Sequence, residues 1–417
     1  MRLLKVEMKR ILKTRLTVIL LSAALLLTFV MAWLPITFPS NSFSYTDAQG
    51  NKVEVNGLQG IAHKKEVQAD IAGTVTPEKV RRAVEDYQAV LNKYGVDTSY
   101  DLPDGIYETE ILPYAPLVKG IREAFANPDT GIAPGILDID PEKMDDYYGV
   151  CGERIASLMK QEQKYHPAAQ QAAIDLYSQV EKPYRFYPGY STEAMEYQIL
   201  LAFLVLLLCT VIAAPVFTSD YQTGADDIYR CTKYGKTRFA CAKLLSACII
   251  CGTAYCLSAA VYLLVSNSLW GWECTKSSMQ ILYSIISLPN MNIGQMQVFV
   301  AVSGLLGLLA TTSLTLFLSS RFKNIAACLS AALLFCILPI VVYMALPEEL
   351  AIWIYSVLPA SAVSLQTSIL YAAADFDFWN IGSLAVWLPH VMIGAYIVEI
   401  PVFAGLAVWS YITHKTS

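Results

Sequence analysis

Side chains able to do chemistry are present in this 417-residue chain, but not at the spacings chemistry needs. The four histidines, His63, His166, His390 and His414, are scattered; there is no HExxH pair for zinc and no Gly-x-Ser-x-Gly elbow for acyl transfer. Cys209, Cys248, Cys251, Cys256, Cys328 and Cys336 lie in apolar stretches and read as small buried hydrophobes. Cys151 and Cys274 fall on the expected outer face of the membrane and read either as two free thiols or as a bonded pair. Gly235-Lys236-Thr237 imitates the end of a phosphate-binding loop. The glycine such a loop needs five residues before Gly235 is Arg230, however, and no hydrophobic strand precedes it. The expectation is a chain that is not an enzyme, holds no metal or cofactor, and leaves any use of ATP and magnesium to another polypeptide.

Composition turns attention to lipid. The sequence is 55% hydrophobic and 16% charged, with mean hydropathy +0.43, far from soluble averages. The net charge of −5 hides an asymmetry: lysine and arginine crowd short segments, whereas most acids lie between residues 40 and 196. That pattern speaks for membrane orientation and against a nucleic-acid partner.

Apolar runs long enough to cross a hydrocarbon core of roughly 30 Å occur at 16–34, 197–218, 244–266, 298–318, 325–346 and 391–412. Arg2, Lys5, Lys9, Arg10, Lys13 and Arg15 precede the first. Arg230, Lys233, Lys236, Arg238 and Lys243 join the second to the third, Arg321 and Lys323 the fourth to the fifth, and Lys415 lies near the end. By the positive-inside rule these segments are cytosolic, as are both termini. The run at 350–371 is long enough to span but carries Ser356, Pro359, Ser361, Ser364, Gln366 and Thr367. It reads as a re-entrant or interfacial hairpin, 350–390, packed against other helices on the outer side. The first run lacks a convincing small-x-small cleavage site and reads as a retained span.

The fold class expected is therefore an all-α polytopic membrane protein. A helix over 1–15 lies in the interface, with Leu4, Met8 and Ile11 on one face and Arg2, Lys5, Lys9 and Lys13 on the other. A first span covers 16–35, an α-rich (α+β) extracellular domain 36–195, and a five-helix membrane domain 196–417. In the extracellular domain 43–46 and 52–55 read as a hairpin. Thr76-Pro77 starts a helix that Gly95 ends, Asp140-Pro141 starts another running toward Tyr165, and Pro167 begins a third. Gly304 and Gly307, with Ala301 and Ala310, predict close helix packing in the fourth span.

Two sites remain. Glu399 is the only carboxylate well inside a span, where facing lipid in the charged state would cost roughly 3 kcal/mol or more. It either lines a conduit or pairs with hydroxyls or backbone near Pro401. The second site is the loop 219–243, with Asp220, Gly224, Arg230, Lys233, Tyr234, Gly235, Thr237-Arg238 and Lys243. An acid four residues before a glycine, a turn with Thr-Arg, and a lysine opening the next span resemble the first cytosolic loop of ATP-binding-cassette type-2 exporter permeases. The Tyr-Gly-Lys-Thr-Arg form resembles the Firmicutes members with a large outer domain after the first span. Asp220 stands where the family usually has glutamate, and the frequent proline before the Ser-Arg pair is missing.

The resemblance implies a permease subunit in a bacterial plasma membrane, working as a homodimer or a heterodimer with a sibling permease, beside a cognate ATPase subunit. The loop would be an ATPase-coupling helix, with Asp220 capping it, Gly224 allowing close backbone approach, and Arg230, Lys233, Lys236 and Arg238 holding headgroups or partner carboxylates. The cargo implied is an amphipathic peptide, antibiotic or lipid. The alternative is an antimicrobial-peptide sensing or immunity module whose outer domain binds the peptide. Six spans argue against the four-span mechanotransmission permeases. The lack of paired carboxylates, or of a Ser and His at matching depth, argues against an intramembrane enzyme.

Overall fold

The computed structural model describes residues 2–46, 50–232 and 235–414. Six helices among these are long and apolar enough to cross a membrane: Arg15–Thr37, Glu193–Thr223, Thr237–Trp270, Ile293–Arg321, Ile325–Ala345 and Leu388–Thr413. This is the architecture of a helical multi-pass membrane protein, and every helix falls on an expected apolar run. Most begin a few residues earlier than hydropathy alone marks, running into polar sequence. Asn292 and Gln295 form a reciprocal capping box one turn before the fourth apolar run, and the Asn324 side chain accepts from the amides of Ala326 and Ala327.

In chain order the elements are α1 (Arg2–Leu12), α2 (Arg15–Trp33), β1 (Phe43–Thr46), β2 (Lys52–Val55), α3 (Gly57–Val67), β3 (Gly73–Thr74), α4 (Pro77–Tyr94), α5 (Ala115–Ala124), α6 (Tyr147–Glu162), α7 (Pro167–Ser178) and β4 (Arg185–Phe186). There follow α8 (Glu193–Ala213), α9 (Pro215–Thr223), α10 (Ala225–Arg230), α11 (Thr237–Trp270), α12 (Met279–Leu282), α13 (Ile293–Arg321), α14 (Ile325–Ala345), α15 (Glu348–Tyr355), α16 (Ile369–Ala374), β5 (Phe378–Ile381), β6 (Leu384–Trp387) and α17 (Leu388–Thr413).

The region between the first two spans is helical with short antiparallel strand pairs. In β1–β2, Phe43 sits opposite Val55 and Thr46 opposite Lys52. Thr76 caps α4 through the Lys79 amide, and Asp140 caps a 3-10 turn that runs into α6. Val80, Ala83, Val84 and Leu91 of α4 are fully buried against α5 and the 3-10 turn before α6, in a core that continues through Tyr147, Tyr184 and Trp270 to the ends of the spans. Continuity has a polar counterpart. The loop between α11 and α13 is tied to this domain, the Tyr187 amide donating to Ser277 Oγ at 2.8 Å and the Ile285 amide to Glu123 Oε2 at 3.0 Å.

Within the bundle α13 is central, packing against α8, α11, α14 and α17. Its Gly304 lies so close to the Tyr255 hydroxyl of α11 that a Cβ would not fit, and Gly307 rests on the Pro359 carbonyl. The small residues thus permit close approach, as read from the sequence. Residues 348–387 form no helix long enough to span: α15, a 3-10 turn at Ser361–Val363 and α16 lead into the β5–β6 hairpin. The segment packs on α13, α14 and α17, and Gln163 of the domain donates to the Phe376 carbonyl at 3.1 Å. Cys151 and Cys274 are both buried free thiols.

Candidate functional site

Pro215 breaks the second span into α8 and α9, and the break is what positions the site. The amides of Phe217 and Thr218, at the start of α9, donate to Ser319 Oγ of α13 at 3.0 and 3.2 Å, while that hydroxyl donates to the Ala214 carbonyl at 2.7 Å. One serine of a neighbouring helix thereby satisfies the backbone groups that a proline break leaves open. The start of the short helix α9 is thereby held to α13.

Asp220 lies in the last turns of α9, 3% exposed. One carboxylate oxygen accepts from Arg10 Nη2 of α1 at 2.5 Å, and the other pairs with Lys243 Nζ of α11. Lys243 is 0% exposed and also donates to the Val216 carbonyl at 2.5 Å. Glu7 of α1, buried too, stands 3.6 Å from Arg10. Burial raises its carboxyl above the ordinary range, and Lys243 and Arg10 partly offset that. Two acids and two bases from three elements thus form one compact network. Asp220 does not cap the short helix: it stands before the turn, and its carboxylate is spent on the neighbouring cations.

Gly224 closes α9 in the left-handed conformation, φ 66°, with open space where a Cβ would be. Within the chain it supplies the turn, and no backbone of the described residues approaches it closely. Close approach belongs to Gly235, which lies against the Tyr229 carbonyl without room for a side chain. Beyond the turn, α10 carries Asp226 and Asp227 in its first turn, where acids suit the helix dipole.

Arg230 at the end of α10 is directed back into the protein. It donates to the carbonyls of His414, at 2.8 Å, and Tyr411, lies over the Tyr411 ring with 4.6 Å to the centroid, and meets Asp226 at 3.6 Å. It serves the open carbonyl end of α17. The Tyr411 hydroxyl donates to the Gly235 carbonyl at 3.3 Å, and Tyr221 stacks on His414 at 4.4 Å. Lys233 and Tyr234 lie outside the described residues. Arg238 and Lys236 are exposed at the start of α11.

Two features here escaped the sequence reading. Glu7 sits on the face of α1 between its apolar and basic residues, and Ile228 of α10 is 71% exposed although apolar. Cys248 and Cys251 are also spaced as a CxxC pair, but both are free thiols within the apolar α11. Glu399 lies apart, midway along α17. Among the described residues no hydrogen bond or ion pair reaches its carboxylate, and one of its oxygens is buried. The hydroxyl or backbone partner considered for it is not found.

At the opposite end of the bundle a cleft of about 800 Å³ lies between the domain and residues 343–380. Glu162, Glu348, Asp375 and Asp377 face it together with Trp353 and Tyr355. Burial, then Asp375 and Glu348, push the Asp377 carboxyl up to about 7. Compared with known proteins, the chain matches no family model, and no curated protein matches it in sequence.

Proposed function

We propose that this chain is the permease subunit of an ATP-binding-cassette type-2 exporter in a bacterial plasma membrane, with both termini cytosolic and the 36–195 domain outside. It would work as a dimer, with itself or a sibling permease, beside a separate ATPase. The observation that carries the reading is the construction around α10. This six-residue helix turns off α9 at Gly224, presents Ile228 outward, and is clamped by Arg230 to the end of α17, while Asp220 ties α9 to α1 and α11. A push on α10 reaches α17 through Arg230 and α9 through the turn at Gly224, and Asp220 links α9 on to α1 and α11, which is what converting ATPase closure into helix tilt requires. Lys236 and Arg238, exposed beside it, suit an acidic rim on the ATPase. Glu399, unpaired within α17, is the residue assigned to a conduit.

Tagged chain extracted gently from native membranes should bring down a nucleotide-binding ATPase without spans of its own. That partner should be lost when residues 225–230 are scrambled, with the chain still folded. ATP hydrolysis by the purified chain alone would count against the proposal. The second reading, a peptide-sensing module, draws on the acidic, aromatic cleft beside the domain, which suits a cationic amphiphile. Tight binding of a cationic peptide to the full chain, with no coupling to any ATPase, would favour it.

A further inference from the structure

Arg154 of α6 is 7% exposed, and its Nε and one terminal nitrogen are buried without a hydrogen-bond partner. No carboxylate among the described residues stands within ion-pair distance of it. A guanidinium stays charged at any pH a protein survives, and a buried charge left unpaired is strongly unfavourable. Folding tolerates such an arrangement where something outside the fold completes it.

Space for a completing group is present. Arg154 lines a cavity of about 980 Å³ in the domain, walled by Tyr87 and Tyr107, with Lys119 and Arg122 also on its lining. Among the described residues the one carboxylate on that lining is Glu123, and both its oxygens are engaged, by Ser284 Oγ and the Ile285 amide. Its hydrogen bonds hold it to the 271–292 loop, and among the described residues it makes no ion pair with Arg154. Lys119 and Arg122, exposed and donating to the backbone carbonyls of Tyr283 at 3.4 Å and Pro134 at 2.9 Å, add positive potential. The planar fork of an arginine matches a carboxylate or a phosphate, and the tyrosine walls suit an apolar or aromatic body.

We infer that this cavity binds an oxoanion, carboxylate or phosphate, carried on a molecule with an apolar or aromatic body, with Arg154 as its anchoring group. The inference does not rest on the exporter reading, and either can fail alone.

Titrating full-length protein in lipid nanodiscs with benzoate, phenyl phosphate and neutral benzyl alcohol tests it by calorimetry. Saturable binding of at least one anion is expected, and none of benzyl alcohol; which anion binds tighter tells carboxylate from phosphate. Arg154→Met should weaken that binding at least tenfold, and Arg154→Lys less. Without ligand, Arg154→Met should melt no lower than the native chain, because an unpaired buried charge has been removed. Absence of saturable binding to both anions, equal binding by Arg154→Met, or a lower melting point or failure to fold in that variant would each overturn the inference.

Discussion

Lys243 can sit fully buried inside an otherwise apolar helix because Asp220 faces it from α9 and the Val216 carbonyl takes another of its protons. Removing one member of such a pair strands the other, at about 3–5 kcal/mol, whereas replacing both with apolar residues of similar volume is often near neutral. Asp220→Leu should therefore lower the thermal unfolding midpoint of the detergent-solubilised chain sharply, and Asp220→Leu with Lys243→Met should recover most of the loss. Arg10, whose side chain is 37% exposed, can turn to water in the double variant. A double variant no more stable than the single would show that the pair is not the unit described. The sequence placed Asp220 and Lys243 in one loop motif, but not in contact. The network they form also takes in Arg10 of α1, which reads in isolation as part of an ordinary basic flank.

Elements were the most legible scale, for physical reasons. A span must satisfy its backbone internally and bury apolar side chains in lipid, so its length and composition are nearly forced. Thr76-Pro77 and Asp140-Pro141 mark helix starts by removing or capping amides that helices leave open. The 350–390 segment was less legible, because its fold depends on contacts with α13, α14 and the domain that no local pattern encodes. Asp377 there gives a pH-dependent handle. Its folded value of about 7 lies above its ordinary 3.8, so its protonation favours the fold fully below about pH 4, and that contribution is lost as pH rises through 7. The unfolding midpoint should fall between about pH 4 and 7 and level off above, and Asp377→Asn should flatten the slope. An unchanged slope in that variant would place the dependence elsewhere, on Asp375, whose carboxyl burial also raises.

For the whole molecule, contacts gather α1, the α9–α10 turn, the start of α11 and the end of α17 at one end of the bundle. The domain, the 271–292 loop and residues 348–387 gather at the other. Such a polarised molecule suits a machine driven at one face and serving cargo at the other, and the exposed Ile228 is the point where the drive would be applied. A photo-cross-linker placed at Ile228 in living cells tests this most directly. The account predicts a single major adduct, with a nucleotide-binding ATPase that has no spans, strengthened when ATP is present. Adducts with lipid alone, or with a protein added to the outside of intact cells, would contradict it.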